Sequence, residues 1–329
     1  MPITSVTSYV STAAAVRQHW QSVNAARPTA PVILPDGMTL ADFIALENGM
    51  NAAFDVIPAA AATQRQNSAA LMIARNAFQP RFVKFNQAVR LYLSGTRFAD
   101  AAPKVPAVAA GEEVFRDGAR ALRDAWADID AATDISKFSP PLVLPNDNEN
   151  GAVNYTLAQF NLDSQALMDD FSQEGSATLT ATQKRRDRDA LLPAMYAAIK
   201  MYRDTLILLL PKDSPLLETL PRLTPKAGTT PKPLDVSGVW DNVLGKARFT
   251  WPLWAGKDGE KLQVRGCLGA WKTEDEEIIA DLPLDATHFE TDFGLTAPGA
   301  IASFKVYIVT STGNESGGKA VKIARPVLA

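Results

Sequence analysis

Leu206-Ile207-Leu208-Leu209-Leu210-Pro211-Lys212-Asp213-Ser214-Pro215 is the stretch at which the 329-residue chain changes character. Upstream of it alanine is abundant and apolar residues recur at helical spacing, as in Val114, Leu122, Trp126 and Ile129. Across it come Pro211, Pro215, Pro221, Pro225, Pro231 and Pro233, a density that forbids a helix and reads as a semi-extended connector over residues 211–233. Downstream the pattern alternates with period two between glycine turns. The boundary is structural rather than electrostatic, because Gly228–Ala329 carries 11 basic and 13 acidic residues and the remainder is as evenly balanced.

The whole chain carries 33 basic and 36 acidic residues, a net charge of −3, which leaves no basic excess for nucleic acid. One cysteine, Cys267, excludes an internal disulfide, and two histidines, His19 and His288, leave little for a metal site. No cofactor or metal is expected. The apolar run Leu206–Leu210, like every other in the sequence, falls far short of the ~20 residues of a membrane helix. Met1-Pro2-Ile3-Thr4-Ser5-Val6-Thr7 lacks the basic start and apolar stretch of a secretory signal, so cytoplasmic residence is expected, with export by another route left open.

The helical part reads as a duplication. Pro31-Val32-Ile33-Leu34-Pro35 returns as Pro141-Leu142-Val143-Leu144-Pro145, and Phe43 with Phe54 returns as Phe160 with Phe171. Thr63-Gln64-Arg65 returns as Thr182-Gln183-Lys184, and Pro103-Lys104-Val105 as Pro221-Arg222-Leu223. The order is kept and loops absorb the differing offsets. Three helices are predicted in each copy, near 6–26, 38–62 and 64–94, then near 111–132, 152–174 and 178–210. Trp20 and Trp126 mark the first helices, and Pro80 and Pro193 should bend the third. Three amphipathic helices bury their stripes against one another. The expected fold is multidomain, α then β. Helical bundle repeats occupy 1–108 and 109–210, the proline-rich linker 211–233, and a β-sandwich 234–329.

Seven alternating segments are predicted in that last part: 236–240, 246–251, 261–268, 277–281, 287–292, 302–312 and 319–325. The region resembles a fibronectin type III domain. Ala247-Arg248-Phe249-Thr250-Trp251 is similar to the family's second strand ending in its core tryptophan. Leu262-Gln263-Val264-Arg265-Gly266 takes the place of the third strand, and Leu295-Thr296-Ala297-Pro298-Gly299 with Ala302-Ser303-Phe304-Lys305-Val306-Tyr307 that of the sixth. The resemblance would put the family's corner tyrosine at Ala302, so that tie is missing. The whole arrangement also resembles an uncharacterised group of planctomycete-type bacterial proteins, through Leu220-Pro221-Arg222-Leu223-Thr224-Pro225, Ser237-Gly238-Val239-Trp240-Asp241 and Gly294-Leu295-Thr296-Ala297-Pro298-Gly299-Ala300. That likeness implies architecture and no activity.

Sites of chemistry are sparse. His19 reads as a helix-face histidine without a partner and His288 as a strand residue. Cys267 reads as a small buried or edge residue, and no Gly-x-Ser-x-Gly elbow occurs. Asn146-Asp147-Asn148-Glu149-Asn150-Gly151 begins like a calcium loop, but position twelve is Leu157 rather than glutamate. Gly256-Lys257-Asp258-Gly259 reads as a turn. Lys184-Arg185-Arg186-Asp187-Arg188-Asp189 reads as a solvated, salt-bridged helix face, and Glu274-Asp275-Glu276-Glu277 as a solvated acidic loop with the option of meeting a basic patch on a partner. The expectation is a non-enzymatic structural or scaffolding protein that engages protein partners or its own copies. The alternative is a carbohydrate- or peptide-binding module that uses Trp254, Trp271 and Tyr307 as its surface, with Trp251 in the core.

Overall fold

Thr39 begins the best-defined helix start in the chain. Its hydroxyl accepts from the Asp42 amide at 3.3 Å, and the Asp42 carboxylate accepts from the Thr39 amide at 2.9 Å, a reciprocal capping box. The computed structural model describes residues 3, 5–99, 102–135, 138–145, 154–224, 230–311 and 314–327. Within them run α1 (Ser8–Ala26), α2 (Leu40–Asp55), α3 (Ile57–Tyr92), α4 (Glu112–Asp130), α5 (Leu157–Leu209) and α6 (Pro215–Glu218). The strands are β1 (Ser237–Asp241), β2 (Lys246–Thr250), β3 (Gly259–Leu268), β4 (Glu277–Leu282), β5 (His288–Thr291), β6 (Ile301–Thr310), β7 (Glu315–Gly317) and β8 (Val321–Ala324).

Two helix boundaries differ from the sequence reading. The break expected at residue 63 falls at Val56, and the break expected between 174 and 178 is absent, so α5 runs unbroken for 53 residues. Gly175 is the only weak helix former in that interval, and one glycine costs only about 1 kcal/mol inside a helix. An antiparallel helix pair needs a loop of about 2–5 residues. Neither junction supplies one, so each third helix continues from the second instead of folding back.

That continuity decides the cores. The described residues fall into two compact units, one drawn from Met1–Ala62, Leu179–Gly294 and Ile301–Ile323, the other from Thr63–Thr178, Leu295–Ala300 and Ala324–Ala329. The helical core of the first joins α1 and α2 to the second half of α5. Trp20 stacks on Tyr202 at 4.6 Å between ring centroids and leans on Phe43 at 5.6 Å. The core of the second joins α3 and α4 to the first half of α5, with Trp126 against Phe85 at 5.3 Å and Phe160 at 6.0 Å. The cores therefore do not divide the chain at the expected 108/109 boundary. Each draws its third helix from the other side of it. The two Leu-Pro crossovers are held alike. Asn24 accepts from the Val32 amide at 2.9 Å and Asp130 from the Leu142 amide at 2.7 Å, while Leu34 and Leu144 donate to the Met38 and Tyr155 carbonyls, so the four residues are buried with their amides bonded.

The proline-rich stretch is not a free connector. Leu216, Leu217, Leu220 and Leu223 pack on the first helical core, and Ile3 donates its amide to Leu223 at 3.0 Å. Arg203 donates to the Pro221 carbonyl. His19 is 8% exposed and far from partnerless. Its Nε2 reaches the Leu216 carbonyl at 2.8 Å, so that nitrogen carries the proton, and Nδ1 accepts from the Tyr202 hydroxyl at 2.7 Å.

Beyond this strap the sandwich forms from a three-stranded sheet, β1-β2-β5, and a five-stranded sheet, β4-β3-β6-β7 with β8 also paired to β6. The pairs β1–β2, β2–β5, β3–β4, β3–β6 and β6–β7 are antiparallel. Phe249, Leu262, Val264, Phe304, Val306 and Ile308 fill the space between, with Phe249 and Phe304 at 4.7 Å. Trp251 is buried as expected and donates to the Ala286 carbonyl at 2.7 Å. The C-terminal part is thus a two-sheet antiparallel sandwich, the fold that the resemblance of its sequence implies. The last predicted segment, 319–325, is β8, and β7 is an additional short strand between the sixth and seventh predicted segments.

A double-mutant cycle tests the grouping of the cores. Trp20→Ala with Tyr202→Ala, and Trp126→Ala with Phe85→Ala, should each show coupling of about 0.5–3 kcal/mol in urea unfolding, while Trp20→Ala with Phe85→Ala adds. The reverse pattern would return the third helices to their own copies. A second test concerns His19, whose pKa burial lowers from 6.5. Below pH 6.5 the unfolded chain takes up the proton before the folded one, so stability falls as the pH drops. Melting temperatures at falling pH should decline less steeply in His19→Gln than in the parent.

Candidate functional site

Strand β3 is buried from Leu262 to Cys267 without the alternation expected of a sandwich strand. Leu262 and Val264 face the sandwich core. Gln263, Arg265 and Cys267 lie on the outer face, which is also covered. Tyr307, Glu276 and Glu315 close over Arg265 there, and the helical part of the same unit reaches the β3–β4 connection. Arg185 on α5 is 7% exposed and pairs with Asp275 in the β3–β4 connection at 2.9 Å. The basic cluster expected as a solvated helix face therefore meets the acidic loop of its own chain. Burial of the guanidinium replaces the expected solvation, because its partner carboxylate is held opposite it.

Beside that ion pair lies a cleft of about 770 Å³. Its apolar wall comes from Val6, Phe54, Ile57, Leu192 and Ile278. Its charged wall comes from Arg188, Asp189, Arg265, Glu276, Glu277 and Glu315, with Tyr307 between. Arg265 organises the floor. Its Nε donates to Gln263 at 2.6 Å, Nη1 to Glu276 at 2.9 Å and Nη2 to Glu315 at 2.6 Å. The guanidinium lies 4.0 Å from the centre of the Tyr307 ring. Register explains the convergence. Gln263 lies opposite Tyr307 and Arg265 opposite Lys305 on neighbouring strands, so their side chains share a face. Burial alone would lower the pKa of Arg265, but the hydrogen bond and charge of Glu315, with Glu276, raise it. Burial and then the charge of Glu276 push Tyr307 up to about 12. At the rim, Arg188 pairs with Asp189 at 2.8 Å and lies 5.4 Å from the Phe54 ring.

The expected surface residues do not gather. Tyr307 is in this cleft. Trp254 is half-buried against the Gly256–Gly259 turn and lines a separate groove of about 710 Å³ with Pro231, Pro233 and Asp235. Trp271 is half-buried with the Lys305 ammonium 4.6 Å from its ring. Arg265, Glu276, Glu315 and Arg188 were missed. The readable signals were a charged residue in the middle of an apolar strand and two clusters of opposite sign. His288 is exposed on β5. Cys267 is buried, its Sγ 3.5 Å from the Ala270 carbonyl, and burial raises its thiol. Asn146–Gly151 lies outside the described residues. Among the described residues, no group of three or more histidine, cysteine, aspartate or glutamate side chains is placed to hold a metal, and no helix is long and apolar enough to cross a membrane.

No protein-family model matches the chain and no curated sequence matches it. Among solved structures it is similar to the pectate lyase of Erwinia chrysanthemi, determined with tetragalacturonic acid, at 14% identity over 28% of each chain and a TM-score of 0.25. The chain therefore spans little more than a quarter of that lyase's length. It is similar to an Fn3-like protein from Clostridium thermocellum at 19% identity, over 31% of this chain and 99% of that one, with a TM-score of 0.25. It is similar too to the fn3 domain of human contactin 1 at 13% identity, over 32% and 86%, with a TM-score of 0.26.

Removing the Arg265 side chain would leave Glu276 and Glu315 half-buried without their shared counter-charge. Arg265→Ala should cost about 3–5 kcal/mol in urea unfolding, and adding Glu276→Gln and Glu315→Gln should recover part of it. A loss below about 1 kcal/mol, the size of an exposed pair, would show that the carboxylates are solvated.

Proposed function

We propose that the protein is a non-enzymatic scaffold, with helical bundles as one set of surfaces and the fibronectin type III-like module as another. One observation carries the reading. In the large cleft Arg265 is engaged with Glu276 and Glu315 and Arg188 with Asp189, and among the described residues no nucleophile–base pair lines it. Duplication underlies the helical surfaces. Phe43 and Phe160, and Phe85 and Tyr202, stand 117 positions apart, as do Val89 and Leu206, and all are buried. Trp20 and Trp126 then have equivalent neighbours, and Asn24 and Asp130 equivalent roles. The two copies have exchanged their third helices. The likeness to planctomycete-type proteins fits this architecture and adds no activity.

Self-association is part of the proposal. β1 is at the edge of its sheet, Val239 on it is 63% exposed, and Val243 in the following turn is 95% exposed. A binding role is the second reading, and Tyr307 in the cleft favours a peptide over a sugar, since Trp254 and Trp271 form no common platform.

Light scattering across a concentration series tests the first reading. The parent should gain mass with concentration, and Val239→Lys with Val243→Lys should hold it at the protomer. A parent that stays monomeric throughout would remove self-assembly from the proposal.

A further inference from the structure

We propose that the cleft between the outer face of the five-stranded sheet and the helices of the same unit takes an arginine side chain of a partner peptide, with apolar residues on either side of it. This rests on the binding reading above and names its ligand. Four carboxylates, Asp189, Glu276, Glu277 and Glu315, line the cleft against two guanidiniums, Arg188 and Arg265, so the lining is net negative. Both guanidiniums are already paired. Arg265 spends its donors on Gln263, Glu276 and Glu315, and Arg188 is held by Asp189, so neither is an unpaired cation that would attract an anion. The surplus is of negative charge.

The chain itself displays the chemistry this cleft favours. Twice it sets a guanidinium between an aromatic ring and a carboxylate: Arg265 with Tyr307 and Glu276, Arg188 with Phe54 and Asp189. Glu276 and Glu315 are fixed by Arg265 and are only 18% and 17% exposed, so their remaining charge acts in a medium less polar than water and is screened less by salt. They require no reordering when a cation arrives. The apolar wall selects a peptide over a small polycation. Val6, Phe54, Ile57, Leu192 and Ile278 offer surface that only neighbouring aliphatic side chains would cover. The volume, about 770 Å³, is that of a site for a ligand of several groups rather than a single ammonium.

Calorimetric titration of the full chain tests this with three probes: a blocked hexapeptide with one arginine between two leucines, its twin with glutamate in place of arginine, and spermidine. The arginine peptide should bind at least tenfold more tightly than either of the others, and binding should weaken as salt rises. Asp189→Asn and Glu277→Gln should each weaken it about fivefold, the upper range for a partly exposed charge pair. Asp189 sits on an exposed part of α5, so its variant keeps the test valid if Glu277→Gln does not fold. Equal or tighter binding of spermidine overturns the peptide assignment, and tighter binding of the glutamate twin overturns the sign of the site. No binding of the arginine peptide, or binding that neither variant changes, overturns the cleft as its location. Each of these failures leaves the scaffold reading to the light-scattering result, which does not depend on the cleft.

Discussion

A guanidinium in the middle of a β-strand, 3% exposed, is the constraint around which the first unit is arranged. Arg265 cannot be desolvated alone, because an isolated buried charge costs far more than the stability of a domain. It is tolerated because Glu276 and Glu315 reach it from the β4 side and from β7, because Gln263 takes the remaining Nε proton, and because Tyr307 covers it. Four segments of the sandwich are thus committed to one geometry. The cost of the arrangement is high and its net stabilisation small, which is the usual outcome for buried ion pairs. What it provides is a fixed outer face. A sheet with that face exposed would alternate buried and exposed residues, and β3 does not.

The same logic governs the strap between helices and sandwich. A proline-rich segment has few backbone donors to satisfy, so it can lie along a helical surface with its carbonyls facing outward for donors to find. His19, Arg203 and the Ile3 amide are those donors. The sandwich is consequently attached to a segment that is itself fastened at three points, and Arg185 with Asp275 adds a fourth contact within the unit.

How much of this was readable varies with the range of the interaction. Helix and strand positions were legible because they depend on local spacing, and the core Trp251 and the sandwich both follow from it. The assignment of third helices to cores was not legible. It depends on whether the chain reverses after Asp55 and after Ser176, and neither periodicity nor a lone Pro58 or Gly175 at those points decides reversal, since the helices run through both. His19 was misread for a related reason. Its partners Tyr202 and Leu216 are 183 and 197 residues away, so nothing near it in sequence distinguishes a satisfied imidazole from a solvated one. Of the candidate surface, only Tyr307 reached the cleft. Aromatic character marks a side chain as able to stack, but which face of which sheet stays open is settled by what covers it.

The two opposite-sign clusters show how such misreadings arise. Each of Lys184–Asp189 and Glu274–Glu277 looks solvated when taken alone, since charge runs on helices and in loops usually are. Taken together they are complementary, and the pair Arg185–Asp275 is the place where they meet. Complementarity also sets what remains available to a partner. Once Arg185, Arg188 and Arg265 are engaged by the chain's own carboxylates, the acidic side is the one left with acceptor capacity. Arg185 is spent on holding the sandwich to the helical part, Arg188 on its helix neighbour Asp189 and Arg265 on the sandwich's own carboxylates, and the negative balance at the junction is what these pairings leave.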